Sequence, residues 1–548
     1  MPQVNTKDYL FRIFLITAGL VIFANQITLG ELFFNNDETR HAMTGLFFHD
    51  FLCDAPSSLL AFKTYAWEYY ARYPALGLLV WPPFFHIAEA AFFSVFGVSA
   101  FVARLTVLSF AIIGVLYWYQ LIRSMYDERL AFFAGLFFIA NPFITLYSKH
   151  VMLEIPSLTL CLMTLYYFHR YMAGERRVHL SAFAGCFALA ILTKIHAVFM
   201  APLFLLYLWR ERKLHWLYRR EVLIALGIGA FISGSYTAYA FKFQLGRYLM
   251  ELTQGTAAEG SAWSLRALLF YPLSLSEQLG PVVLWTSLAY LILLLSRRAL
   301  KREAIFIFWV LSVFAVFVVI AQKAPRFTIY WIPPFVLMAV LLLDWVLQFL
   351  RRPRLATSIL AIISAGLLLQ AYLTKREYLL GYEEAAKFVV QNHRPNTTVF
   401  FHGYYDGNLI FHVRKSDPAR RIPVLVGTKM LAATNIFPSQ WKVVTLMQDK
   451  SEIEQLFAEY GTRFIVMDDL DTVELSKKLP PIFDELRMLV QTADYALVKT
   501  IPIETNIPGY RGHSILIYEN RKAVELQSNY IRFRMLTLGD REIYVKLQ

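Results

Sequence analysis

Long apolar runs separated by short loops rich in Lys and Arg divide this chain of 548 residues. No other feature restricts the fold as strongly. A run of about 17–25 apolar residues in lipid must close its backbone hydrogen bonds within itself, so it becomes a helix. Runs near 9–29, 102–122, 129–147, 157–173, 178–194, 196–210, 221–241, 279–296, 304–321, 328–350 and 355–374 read as spans. That makes about eleven transmembrane helices, several of them at the short end of the range. Composition agrees: 57% of residues are hydrophobic and 17% charged, where a soluble chain carries roughly a quarter charged. The fold class expected is an α-helical polytopic membrane protein.

The basic loops set the orientation. Arg123–Arg129, Arg170–Arg177, Arg210–Arg220, Arg297–Arg302 and Arg351–Arg354 should all face the cytoplasm. Their clustering also explains the net charge of +13 without nucleic acid as a partner. The apolar stretch 84–97 is only about 14 residues, short for a span. If it crossed, every later basic loop would flip outward, so it reads as an interfacial or re-entrant helix. Residues 35–101 then form one long outer loop. His150–Glu154, 242–278 and Lys323–Arg326 fall on the same outer side.

Lys7 and Arg12 precede a first apolar run with no small-residue cleavage site, which reads as a retained span. Cys53, Cys161 and Cys186 show neither metal-ligand spacing nor a disulfide framework. From about residue 375 the pattern changes. Strand-like runs at 398–401, 443–446, 463–467, 496–500 and 514–518 alternate with helical stretches such as 451–459. This predicts a small C-terminal α/β domain, 375–548, outside the membrane, beside a transmembrane domain over 1–374.

Several polar groups stand at membrane boundaries, where they are costly unless solvated or used. Asp37 and Glu38 follow the first span. A solvated loop end is the bland reading, and a general base with an orienting partner the functional one. Glu154 precedes Pro156, as a helix cap or as a second carboxylate facing the first. His150 is a proton relay, a ligand or an interfacial side chain. Arg72 with Tyr73, Lys194 with His196, and Lys323 with Arg326 lie outside, against the positive-inside bias. Snorkelling explains them, and so does a bound phosphate or anionic headgroup. Asp468, Asp469 and Asp471 read as a polar turn or an oxygen site for a cation.

Taken together, these stretches resemble one family. Asp37-Glu38-Thr39-Arg40-His41-Ala42 is similar to the first-loop motif of the polyprenyl-phosphate-sugar transferases of the GT-C fold. That family includes the aminoarabinose transferases of lipid A and the protein O-mannosyltransferases. Tyr73-Pro74 and Pro82-Pro83 resemble the second part of its loop. Phe96-Gly97-Val98-Ser99 with Ala103-Arg104-Leu105 resembles its approach to the next span. Leu192-Thr193-Lys194 and Lys323-Ala324-Pro325-Arg326-Phe327 also match. The resemblance covers about 1–340, by the order and spacing of five motifs. It departs at Glu154, often Asp in relatives, at the missing lysine before the loop prolines, and at Ile195-His196 after Lys194.

The resemblance implies an inverting transfer on the outer face, from a polyprenyl (undecaprenyl or dolichyl) phosphate sugar to a hydroxyl of a lipid, glycan or protein. Asp37 would be the base. Glu38, Glu154 and Arg40 would orient base or acceptor, and Arg326, Lys323 and Arg72 would neutralise the leaving phosphate. Tyr73, His150, Lys194 and His196 complete the expected substrate-binding set. Some relatives use a divalent metal and others do not; with oxygen ligands and His150 alone in evidence, a metal here would be Mg²⁺ or Mn²⁺. The setting implied is a bacterial inner membrane. A transporter or flippase of an anionic lipid-linked substrate is the rival reading. It predicts charges in mid-membrane and paired broken helices; Asp344 lies near a cytoplasmic end, and no repeat is visible.

Overall fold

The computed structural model describes residues 6–547 except 55–60, 79, 254–263, 298–302, 321, 350–352, 436–441, 471–478 and 537–540. Asp471, most of the loop after Arg297, and Arg351 lie outside the described residues. Helices occupy α1 (Thr6–Ala24), α2 (Asp37–Asp54), α3 (Phe62–Arg72), α4 (Phe84–Phe96), α5 (Ala100–Met125), α6 (Glu128–Ile139), α7 (Pro142–Tyr147) and α8 (Glu154–Gly174). They continue through α9 (Arg177–Ile191), α10 (Met200–Arg210), α11 (Arg220–Thr253), α12 (Leu265–Arg297), α13 (Ala304–Val318), α14 (Ile332–Phe349) and α15 (Pro353–Leu373). The chain divides into two compact units. One holds residues 1–27, 79–85 and 104–376, the other 28–78, 86–103 and 377–548.

The first unit is helical. Among the described residues, four helices are long and apolar enough to cross a membrane: Ala100–Met125, Arg220–Ala238, Leu265–Ser296 and Pro325–Gln348. Helices lie at the other expected spans too, among them α1 with 19 residues and α8 and α15 with 21 each. The run expected at 129–147 is split into α6 and α7 because Asn141 caps a new helix. Its side chain accepts from the N–H groups of Phe143 and Ile144, with Pro142 in the first turn. Helix α12 is broken at Gly280, where φ is +69° and ψ 164°, immediately before Pro281. A side chain there would be strained, and the proline lacks the N–H that would bridge the break.

The second unit contains the expected α/β fold. Its sheet has five strands: β1 (Thr398–His402), β2 (Val424–Val426), β3 (Thr462–Asp468), β4 (Tyr495–Pro502) and β5 (Ser514–Asn520), in the order β2-β1-β3-β5-β4. β1 runs parallel to β2 and β3, while β5 is antiparallel to β3 and β4. Two details differ from the sequence reading. The strand near 443–446 is Lys442–Thr445 and pairs with Ala432–Asn435 outside this sheet. Val424–Val426 supplies the sheet edge in its place, and three residues are too few to show a period.

Most of the loop 35–101 lies in the same compact unit as residues 377–548. Its ionic groups explain why. Glu31 accepts from the N–H groups of Gly381 (3.1 Å), Tyr382 (3.2 Å) and Glu383 (2.9 Å), closing the start of the helix Tyr382–Gln391. Asp50 takes a two-pronged pair from Arg414, at 2.6 and 2.9 Å, with both side chains buried. Neither partner is near in sequence, so neither pair can be read from spacing.

Candidate functional site

The motif helix begins on a tight approach. Asn35 and Asn36 both have positive φ, 53° and 56°, a conformation that Asn tolerates better than most residues. Asp37 follows as the first residue of α2, half-buried. Glu38 is fully buried, and its Oε2 accepts from the N–H groups of Phe33 and Phe34, both at 3.1 Å. Glu38 therefore positions the turn that presents Asp37. Arg40 pairs with Asp406 at 3.3 Å and donates to Asn36 O. Burial works against the charge of Asp406, but Arg40 and then Lys429 hold its carboxyl below the usual range.

Behind this turn lies a buried polar patch. His41 Nδ1 and His86 Nε2 are 3.1 Å apart. Glu89, one turn beyond His86, is fully buried, and neither of its oxygens has a hydrogen-bond partner. Burial lifts this carboxyl well above the usual range, and the charge of Glu38 adds to the effect. Gly45 makes room for it: a Cβ there would lie 2.1 Å from Glu89 Oε2. The sequence reading missed Glu89, although a single acid in the apolar run 84–97 was a usable signal. Arg72 donates to the carbonyls of Leu547 (3.0 Å) and Arg420 (3.5 Å). Tyr73 is buried edge-on against Tyr69.

The helical unit holds its own cluster. Glu154, buried at the start of α8, pairs with Lys194 Nζ at 2.7 Å and lies 3.8 Å from Arg326 Nε. Its Oε2 is buried without a side-chain partner. The ring of Phe327 is shared by Lys194 Nζ (5.7 Å), Arg326 (5.8 Å) and the edge of His196 (4.8 Å). Two cations thus serve one carboxylate. Lys323 is used differently: it donates to the carbonyls of Val318 and Ile320, both at 2.6 Å, and to Phe317 O at 3.3 Å, closing the end of α13. His150 Nδ1 faces Arg376 Nη2 at 3.4 Å. A guanidinium only donates, so Nδ1 is the acceptor. Among the described residues, no three His, Cys, Asp or Glu side chains are grouped to hold a metal ion.

The structure is similar to that of ArnT from Cupriavidus metallidurans bound to undecaprenyl phosphate. The two share 15% identity and a TM-score of 0.57, with 94% of this chain and 98% of that one covered. A family model described as dolichyl-phosphate-mannose-protein mannosyltransferase matches residues 81–235. The chain has the GT-C fold. Other GT-C structures give the same result. ArnT in the apo state aligns with TM-score 0.58 and 15% identity, over 92% of this chain and 97% of that one. The Archaeoglobus fulgidus oligosaccharyltransferase in its apo form aligns with TM-score 0.52 and 12% identity, over 85% and 70%. No curated protein matches this GT-C chain by sequence. With the fold and the apolar helices together, it is an integral membrane protein.

Proposed function

We propose that this chain is an inverting glycosyltransferase that takes a sugar from a polyprenyl phosphate and passes it to a hydroxyl acceptor at the outer face of a bacterial inner membrane. The observation that carries the reading is the Glu154–Lys194–Arg326 cluster, where two cations face one buried carboxylate. An ammonium and a guanidinium side by side suit a phosphate. ArnT, a structural neighbour, was crystallised with undecaprenyl phosphate, in keeping with a lipid phosphate here.

Asp37 takes the proton of the acceptor hydroxyl while that oxygen attacks the anomeric carbon. The bond from that carbon to the phosphate oxygen breaks, and the polyprenyl phosphate leaves with the electron pair, so the configuration inverts. Lys194 and Arg326 stabilise the charge that develops on the leaving phosphate. Glu38 and Arg40 hold the turn that presents Asp37. The test is transfer from a panel of labelled polyprenyl-phosphate sugars by the full chain in lipid, beside its Asp37→Asn variant. Wild type should release free polyprenyl phosphate, and the variant should turn over at least about a hundredfold more slowly. Equal turnover would remove Asp37 from the mechanism.

A further inference from the structure

The helical unit contains a hollow apart from the Glu154 cluster. Its walls are α6 and α7, the break in α12 at Gly280 and Pro281, and the end of α15. Its cavity volume is about 150 Å³, room for a headgroup, with any longer part of a ligand lying along the open mouth. One wall is apolar, formed by Leu146, Leu279, Val282, Leu367 and Ala371. The other end is cationic, with Lys149, Lys375 and Arg376, and no acidic residue lines the hollow.

Lys149 is the informative member. It is only 3% exposed, and no Asp or Glu among the described residues lines the hollow beside it. Burial, and then the charge of Arg376, pull its pKa down to about 8. A buried cation is costly unless it is paired. Arg376 is held from behind, since its Nη1 donates to Gln26 O at 3.2 Å. Lys149 therefore offers its charge to an anion entering the hollow.

The hollow is separate from the Glu154 cluster. None of Glu154, Lys194, His196, Lys323 and Arg326 lines it. Gln278 stands between the two: its carbonyl accepts from Asn141 Nδ2 at 2.9 Å, and its side chain donates to Pro325 O at 2.8 Å and Thr328 Oγ1 at 3.0 Å.

We infer that this hollow binds the phosphate-bearing head of an anionic membrane lipid through Lys149, Lys375 and Arg376, with the lipid chain lying along the apolar wall. The apolar wall distinguishes the lipid from a free anion, because inorganic phosphate would leave it unused. The site does not depend on glycosyl transfer and is read by binding alone.

The experiment is native mass spectrometry of the delipidated full chain, titrated with dioleoyl-phosphatidylglycerol or dioleoyl-phosphatidylcholine. Phosphatidylglycerol should bind saturably and at least about tenfold more tightly than phosphatidylcholine, as expected for a charge-assisted contact. Lys149→Gln should weaken it by a similar factor. Val282 is 38% exposed, so Val282→Trp should block the mouth at little risk to folding and also abolish tight binding. Excess inorganic phosphate should not displace the lipid. Equal affinity for the two lipids, or unchanged binding in Val282→Trp, overturns the inference. So does displacement by phosphate, which would make this a free-anion site.

Discussion

Arg414→Met tests whether the C-terminal domain fixes the helix that carries Asp37. The Asp50–Arg414 pair has distances of 2.6 and 2.9 Å, and its side chains are 3% and 9% exposed. Removing the arginine strands a buried carboxylate, a change that costs about 3–5 kcal/mol. Asp50 would keep the hydroxyl of Tyr69 at 2.7 Å and His49 Nδ1 at 3.1 Å, which points to the lower end of that range. At about 1.4 kcal/mol per factor of ten, amides of residues 37–54 should exchange hydrogen on the order of 10² to 10³ times faster. The assay is hydrogen exchange by mass spectrometry on the full chain in detergent, with peptides from α8 as the internal standard. The double variant Asp50→Asn with Arg414→Met removes the stranded charge and should recover most of the protection. Acceleration below about fivefold, or a double variant as exposed as the two single effects multiplied, would refute the argument.

Lys194→Gln and Arg326→Gln should each raise the KM for the lipid donor by about tenfold or more, the scale of a lost charge-assisted hydrogen bond. Unchanged KM in both would leave these cations serving Glu154 alone. Glu31 gives a pH signature. Burial, opposed by its backbone hydrogen bonds, raises its pKa from 4.5 to about 7. Because the folded pKa is the higher one, the folded state holds the proton more tightly. Stability should therefore fall as pH rises between about 4.5 and 7, and level off above. Glu31→Gln should flatten thermal unfolding across that window, and an unchanged slope would place the titration elsewhere.

Local signals carried the sequence reading a long way. The apolar runs located helices, and the C-terminal alternation located four strands of the central sheet. The pairing of Lys194 and Arg326 with Glu154 joined three residues singled out for charge on the outer side. What stayed hidden depends on distance along the chain. Glu31 with Gly381, Asp50 with Arg414 and Arg40 with Asp406 are separated by 350, 364 and 366 residues. No period or spacing records such pairs. Lys149 was passed over for a different reason: beside His150 it reads as an ordinary interfacial lysine, and only its burial without an acid sets it apart.

The Glu31 pairing has a consequence for synthesis. Glu31 emerges from the ribosome about 350 residues ahead of the N–H groups it closes. Until those residues arrive, the carboxylate must wait in water, and the turn that presents Asp37 lacks its support from the C-terminal half. Long-range closure of this sort comes late in assembly. The stretch that carries Asp37 is therefore among the first parts translated and among the last to be organised.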